Sequence, residues 1–318
     1  MALDNIEGAK SLFMRKESCK MKKKWTHLFF IMPGFVMYTI FIVVPILFVF
    51  YLSLFEWSGL GEMVFVGLNN FRNILFNDRF APIFWNALGN NFRYLLAVWF
   101  IITPIQYVLA YLFFIKIPFY KYSKLMIFLP FVISSTIVSF FATMIFNPNI
   151  GILNSLLALI GLEPSAWLGN PNLSFGIFVS LVIWQSAGVG VMIFYTNFMD
   201  ISQEIMEASR LDGCSEWQRF FHILLPLSLP ACASIIVMSS IWALAVFDIP
   251  FLLGGLHGGV SGTLDFANLV FYRFTFGNVL NGRSELGFGA AISVIIFFFM
   301  MIIAVVQNKI LSKFEFDN

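Results

Sequence analysis

Of 318 residues, 59% are hydrophobic and 11% charged, and the formal net charge is +2. A chain of this balance and strongly positive mean hydropathy does not stay dissolved in water, so a soluble enzyme or soluble binding module is excluded and a bilayer is its solvent. Its apolar runs are spread along the whole length, which excludes a single anchor on a soluble domain and predicts one polytopic membrane domain.

In chain order, residues 1–26 are a basic stretch carrying Lys10, Arg15, Lys16, Lys20, Lys22, Lys23 and Lys24. The apolar run that follows is too long for the core of a secretory signal and lacks a small-residue cleavage site, so it is expected to stay as a first span. Uncharged runs long enough to cross roughly 30 Å of hydrocarbon occur at about 27–55, 92–115, 123–146, 173–199, 226–250 and 287–309. The expectation is a six-helix transmembrane domain over 27–312 between the basic start and a short tail, 313–318. An even number of spans puts both termini on one side. Fourteen Lys and Arg fall on the side of the termini and five, Arg72, Arg79, Arg93, Arg273 and Arg283, on the other, so both termini are expected in the cytoplasm.

Proline and glycine punctuate the spans. Pro45, Pro104, Pro130 and Pro250 each remove a backbone donor in or near a span, and ordinary kinks are expected there. Asn147-Pro-Asn-Ile-Gly151 reads as a helix terminator, and 152–162 as a short helix at the outer surface. The loop 254–262, Gly-Gly-Leu-His-Gly-Gly-Val-Ser-Gly, is expected to lack regular structure and to be mobile. Cys19, Cys214 and Cys232 lie on the cytoplasmic side or within a span and read as reduced thiols.

Several chemistries lack their residues. Away from their ends the spans carry no Asp, Glu, Lys or Arg apart from Asp248, which disfavours an ion-coupled carrier or a voltage sensor. There is no G-x-x-x-x-G-K-[ST] phosphate loop, so this chain is not expected to hydrolyse ATP. His27, His222 and His257 are scattered and no Cys-x-x-Cys occurs, so neither a metal site nor a catalytic set is predicted.

The polar exception is 200–225, between the fourth and fifth spans. Asp200 stands three residues before Gln203 and Ser215 three before Gln218, a spacing that predicts two short capped helices. Gly213 lies between them, suited to a positive φ that ends one helix and redirects the chain. Ile201, Ile205, Ala208 and Leu211 form an apolar stripe in the first helix, as do Trp217, Phe220, Phe221 and Leu224 in the second. Pro226 suits the first turn of the fifth span. An amphipathic segment resting on lipid headgroups is the bland alternative, but the abundance of Asp and Glu argues for a protein cleft.

These residues carry a resemblance. Glu207-Ala208-Ser209, Asp212-Gly213, Phe220, Ile223, Leu225, Pro226 and Pro230 resemble the cytoplasmic EAA motif of binding-protein-dependent ABC importer permeases. Phe65-Val-Gly-Leu-Asn-Asn-Phe71, Phe128-Leu-Pro-Phe-Val-Ile-Ser134, Phe146-Asn-Pro-Asn149 with Gly151, and Phe247-Asp248 are similar to the sugar-importer branch, the relatives of the larger maltose and glycerol-phosphate permease subunits. Ser209 stands where the motif has a second alanine, and Gly258-Gly259-Val260 where relatives often have Gly-Gly-Pro. The resemblance implies an all-α polytopic protein with six transmembrane helices and the type I importer permease fold. It further implies a second homologous permease, two copies of a cytoplasmic ATPase that bind ATP and Mg, an extracytoplasmic binding protein and a sugar as partners, with no cofactor on this chain and no nucleic acid. Glu207, Ala208, Ser209, Asp212, Gly213, Phe220, Ile223 and Pro226 are then the coupling residues.

A sugar path needs flat aromatic faces and neutral hydrogen-bonding groups. Trp184, Gln185 and Ser186 in the fourth span, and Ser239, Ser240, Trp242 and Asp248 in the fifth, supply them, and by resemblance the equivalent regions of the maltose permease line its site. A polyamine, peptide or anion cargo is the alternative within the same machinery, and a non-transporting membrane scaffold is the alternative outside it.

Overall fold

A computed structural model describes residues 29–277 and 285–311; the basic N-terminal stretch with Cys19, and the tail 313–318, lie outside the described residues. Two compact units are distinguished, the first ending at Leu52 and the second beginning at Ser53. The first contains α1 (Phe29–Leu52), an uncharged helix. The second opens with a short antiparallel hairpin, β1 (Phe55–Glu56) on β2 (Val64–Phe65), in which Phe55 pairs with Phe65. Next come α2 (Asn69–Phe76) and the long α3 (Ala81–Phe114). Asn70 in α2 donates to the carbonyls of Ser53 and Phe55 and so holds the hairpin.

The chain continues through α4 (Tyr120–Val132), α5 (Ser135–Ile145), α6 (Ile152–Leu159), α7 (Pro171–Asp200), α8 (Gln203–Leu211) and α9 (Glu216–Arg219). It ends with α10 (Leu229–Leu244), α11 (Asp248–Gly254), α12 (Ala267–Phe276) and α13 (Leu286–Leu311). Among the described residues, five segments are long and apolar enough to cross a membrane, or six when the bent pair α4–α5 is counted as one span. The second expected span starts earlier than its apolar run, at Ala81 instead of 92, because the preceding turns are amphipathic and pack against α2, α12 and α13 around Phe84, Ala87 and Phe274.

Three prolines sit directly after a widened turn. The π-turns Thr39–Val43, Val98–Ile102 and Phe220–Leu224 each end two residues before Pro45, Pro104 and Pro226. The residue just before each proline donates five residues back, as Thr103 does to Val98, and the added residue relieves the clash that a proline ring makes with the carbonyl four residues earlier.

Two expected spans are not continuous. Residues 123–146 bend by 97° between α4 and α5. Pro130 lies one turn before the bend, and the Ser134 side chain caps the new helix by accepting from the Ile137 N–H. The bend exceeds the ordinary kink expected of Pro130. The fifth span breaks at Ala245–Phe247, so Asp248, expected at its end, starts a new helix.

Broken helices expose backbone groups that lipid cannot satisfy. Here side-chain amides satisfy them. Gln185 on α7 donates to the Ile133 carbonyl at 3.0 Å. At the second break Asn91, fully buried on α3, donates to the Ala243 and Leu244 carbonyls and accepts from the Ala267 N–H at 2.8 Å, while Asn268 donates to the Ala245 carbonyl.

The glycine-rich loop 254–262 also departs from expectation. It forms two short 3-10 turns, Gly255–His257 and Val260–Gly262, joined by bonds from the Gly259 N–H to the Gly254 carbonyl and from the Leu264 N–H to the Gly258 carbonyl. Asn86 and Asn90 on α3 donate to the Gly262 carbonyl, and Asn90 also to that of Asp265. Beneath the loop Arg273 forms a buried ion pair with Asp265 at 2.9 Å and donates to the Leu256 carbonyl. Burial pushes the Asp265 carboxyl up from its ordinary value and the Arg273 guanidinium opposes that shift.

Candidate functional site

The polar segment after α7 is built almost entirely from its own sequence. The cap of α8 is Ser202, whose side chain accepts from the Glu204 N–H; Asp200, expected in that role, instead ends α7 because the chain turns extended at Ile201. The end of α8 is a complete Schellman arrangement, with the Gly213 N–H bonded to the Arg210 carbonyl and the Cys214 N–H to the Ser209 carbonyl. Gly213 takes φ +77° with no atom near an added Cβ, so backbone handedness alone calls for glycine. Ser215 and Gln218 then form the reciprocal capping box that the spacing predicts.

The inner faces of these helices rest on α3 and α7. Met206, Phe220 and Leu224 are buried with Tyr107, Tyr111, Phe194 and Phe198. Phe220 meets both Tyr107 and Tyr111 edge to face, with ring centroids at 5.3 and 4.8 Å. The Tyr111 hydroxyl donates to the Glu216 carboxylate at 2.7 Å, and that carboxylate also pairs with the buried Arg219. Ser209 is buried and donates to the Met206 carbonyl, which explains how a hydroxyl is accommodated in place of a methyl.

The outer faces carry a different pattern. Of the expected apolar stripes, Phe220 and Leu224 turn inward, whereas Ile205, Ala208, Leu211, Trp217 and Phe221 face outward, Leu211 at 89% and Trp217 at 73% exposure. Glu207 and Asp212 are exposed beside them, Ile223 and Pro226 are half-buried, and Cys214 is a half-buried free thiol. Apolar side chains interleaved with carboxylates on capped helices suit a protein groove better than lipid.

A second feature lies between α3, α7 and α10. A cavity of about 60 Å³ is lined by Tyr94, Val98, Ile102 and Gln106 of α3, by Ser186, Val189 and Gly190 of α7, and by Ile235, Met238, Ser239 and Trp242 of α10. It is too small to enclose a sugar ring. Its wall has only neutral polar groups, the Gln106 amide, two serine hydroxyls and the aromatic Tyr94 and Trp242. Gln106 donates to the Ser186 carbonyl at 3.2 Å.

Of the residues expected on a solute path, Ser186, Ser239 and Trp242 meet here. Trp184 and Asp248 are exposed elsewhere, Gln185 holds the α4–α5 bend, and Ser240 is buried on the far side of α10. Tyr94 and Gln106 belong to the cavity yet were not among the expected residues; the signal was a lone glutamine in an apolar run beside Pro104, read only as part of a span. No group of three His, Cys, Asp or Glu suited to a metal occurs among the described residues.

Residues 81–314 match the family described as "Binding-protein-dependent transport system inner membrane component". The probable ABC transporter permease YurN of Bacillus subtilis is 32% identical over 290 residues, covering 88% of this chain and 94% of that protein. The arabinooligosaccharides transport permease AraP of the same organism is 26% identical over 92% and 90% of the two chains. The trehalose/maltose transport permease MalF of Thermococcus litoralis is 26% identical over 90% and 93%. In fold, the chain resembles a bacterial ABC transporter that imports the acidic polysaccharide alginate, with a TM-score of 0.75 at 20% identity, covering 93% of this chain and 98% of that one.

Proposed function

The chain belongs to the family of inner membrane components of binding-protein-dependent transport systems, and from that premise we propose that it is the permease subunit of an ATP-driven importer for a sugar or oligosaccharide. It is a multi-pass membrane protein of the cell membrane and a transport component, not an enzyme in its own right.

The observation that carries the reading is the outward apolar face of α8 and α9 on helices whose inner faces are bolted to α3 and α7. In this reading that face, with Glu207, Ala208, Asp212 and Gly213, docks in a cleft of a cytoplasmic ATPase, two copies of which bind ATP and Mg, while Ser209 packs on the inner side of the docked helix. Phe220, Ile223 and Pro226 pass the movement of the docked helices to the spans. Both termini then lie in the cytoplasm, as the distribution of Lys and Arg suggests. A second homologous permease completes the path, and an extracytoplasmic binding protein delivers the solute to the end where α11 and the 254–262 loop lie.

The sugar cargo is favoured by two points. Relatives named for arabinooligosaccharides and for trehalose or maltose match over nearly the whole chain. The cavity wall offers aromatic faces and neutral hydrogen-bonding groups with no charge, the chemistry a neutral saccharide needs. Ser186, Ser239 and Trp242 are its path residues on this chain; Trp184 and Asp248 are exposed where a second permease could complete a larger site.

Purification from membranes through a tag on this chain, with mass spectrometry of bound subunits and an ATPase assay, tests the reading. A second permease and an ATPase should co-purify, with hydrolysis stimulated by a sugar-loaded binding protein. Recovery of the chain alone, without nucleotide hydrolysis, would overturn it in favour of a scaffold.

A further inference from the structure

One oxygen atom joins three spans. Ser240 is 1% exposed, and its Oγ accepts from the Trp99 indole N–H of α3 at 2.8 Å and from the Gln307 amide of α13 at 2.7 Å. The same hydroxyl donates to the Ile236 carbonyl one turn back at 2.6 Å. A serine hydroxyl has one hydrogen to give and two lone pairs to offer, so every valence is filled.

Its position relative to the cavity makes this more than a staple. Ser239 and Trp242, the residues immediately before and two after it, line the cavity, while Ser240 points away from it. Trp99 lies inside the π-turn Val98–Ile102, whose two end residues also line the cavity. The hydroxyl therefore fixes the rotation of α10 about its axis and the seating of the widened turn of α3, the two walls that face each other across the opening. Asn91 holds the last carbonyls of α10, and Ser240 supplies a buried side-chain contact one turn earlier; smooth aliphatic faces pack almost equally well in neighbouring registers, and a buried polar contact selects one.

We infer that Ser240 is a positioning residue of the solute path, with Trp99 and Gln307 as its donors: it touches no solute, and it sets how α10 presents Ser239 and Trp242. The inference rests on the transport reading for its purpose, but its geometry can be tested without knowing the cargo. In the full complex in native membranes, Ser239→Cys is labelled with 2-aminoethyl methanethiosulfonate, and the rate is read by mass spectrometry of the peptide containing position 239.

Adding Ser240→Ala should change that rate by about fivefold, the ratio equivalent to one neutral hydrogen bond, and Ser240→Thr, which keeps the hydroxyl, should restore it. Trp99→Phe, which removes only the indole N–H donor, should shift it in the same direction and serves if the alanine variant does not accumulate. An unchanged rate in both Ser240→Ala and Trp99→Phe would overturn the inference, as would a threonine variant no better than alanine, which would assign the effect to packing. Failure of the unsubstituted complex to take up any solute with ATP would sink the transport reading and leave the labelling result standing.

Discussion

Between Ser202 and Pro226 the caps and the bend are shaped by bonds to near neighbours, although the segment is seated on α3 and α7 by a buried cluster and the Tyr111–Glu216 bond: the Ser215–Gln218 box spans three residues, and the Schellman bonds at Gly213 reach back no further than Ser209. Across the cavity the bonds are long-range, 80 residues from Gln106 to Ser186 and 141 from Trp99 to Ser240. The first region is therefore robust in shape and leaves its apolar side chains exposed, while the second depends on how separate spans are seated. Substitutions in the cavity should act through stability and seating, and those of exposed side chains on the docking face through partners, with stability nearly untouched.

Gly190→Ala is expected to have the largest effect on folding. An added Cβ would lie within van der Waals overlap of the Gln106 amide, 2.1 Å from its Oε1, and would push that amide out of its bond to Ser186. Overpacking of this kind costs about 1–3 kcal/mol. Thermal unfolding of the purified complex should show the loss, and Gln106→Ala should recover part of it by giving the new methyl room. If Gln106→Ala recovers nothing, the contact between α3 and α7 is not what holds the cavity wall.

Gly213→Val comes next and belongs to the other region. Nothing crowds the position, so the cost is that of forcing a side chain into left-handed backbone, about 1–2 kcal/mol, which the local bend must absorb. ATP hydrolysis by the complex should persist while uptake falls to background. Normal uptake in this variant would break the assignment of the bend to coupling.

These two regions also show what was legible beforehand. The two short helices, the glycine bend, the Ser215 capping box and the outward polar segment could be read because their determinants lie within a few residues of one another. So could the apolar segments, five of them unambiguous spans and the sixth a bent pair. Asp200, expected as a cap, stands two residues before the residue that does the capping, Ser202; both are good cap types, and only the extended backbone at Ile201 separates them. The breaks in two spans were not legible, because what permits them is distant: Asn91, Asn268 and Gln185 satisfy carbonyls that would otherwise face lipid. For the same reason Gln185 and Ser240 looked like groups awaiting a solute when each was already committed to another span. The glycine-rich loop looks structureless in sequence because the side chains that fix its backbone turns, Asn86, Asn90 and the Asp265–Arg273 pair, all lie outside it.

Tyr111→Phe probes the seam where the two regions meet. It keeps the ring against Phe220 and removes only the hydroxyl that donates to Glu216. Because Glu216 is itself partly exposed, the loss should be about 1 kcal/mol or less, seen as a small drop in the unfolding midpoint. A drop as large as that of Gly190→Ala would show that the seam carries more of the fold than its geometry suggests.

Leu211→Asp should have the smallest effect on folding and gives the clearest separation. The side chain is 89% exposed at the end of α8, next to Asp212, and touches none of the buried cluster that anchors the segment. Stability should change by no more than about 0.5 kcal/mol. A further carboxylate at one of the apolar positions of the docking face, however, must be desolvated if that face enters a protein cleft, where the groove that received a leucine offers it no partner. The variant should therefore insert and unfold like the unsubstituted chain and yet lose the ATPase on purification. Retention of the ATPase at normal stoichiometry would move the docking face to Trp217 and Phe221, which share the exposure but sit on the other side of the Gly213 bend. A stability loss comparable to that of Gly190→Ala would mean that Leu211 is part of the core, and that the contrast between the two regions is drawn in the wrong place.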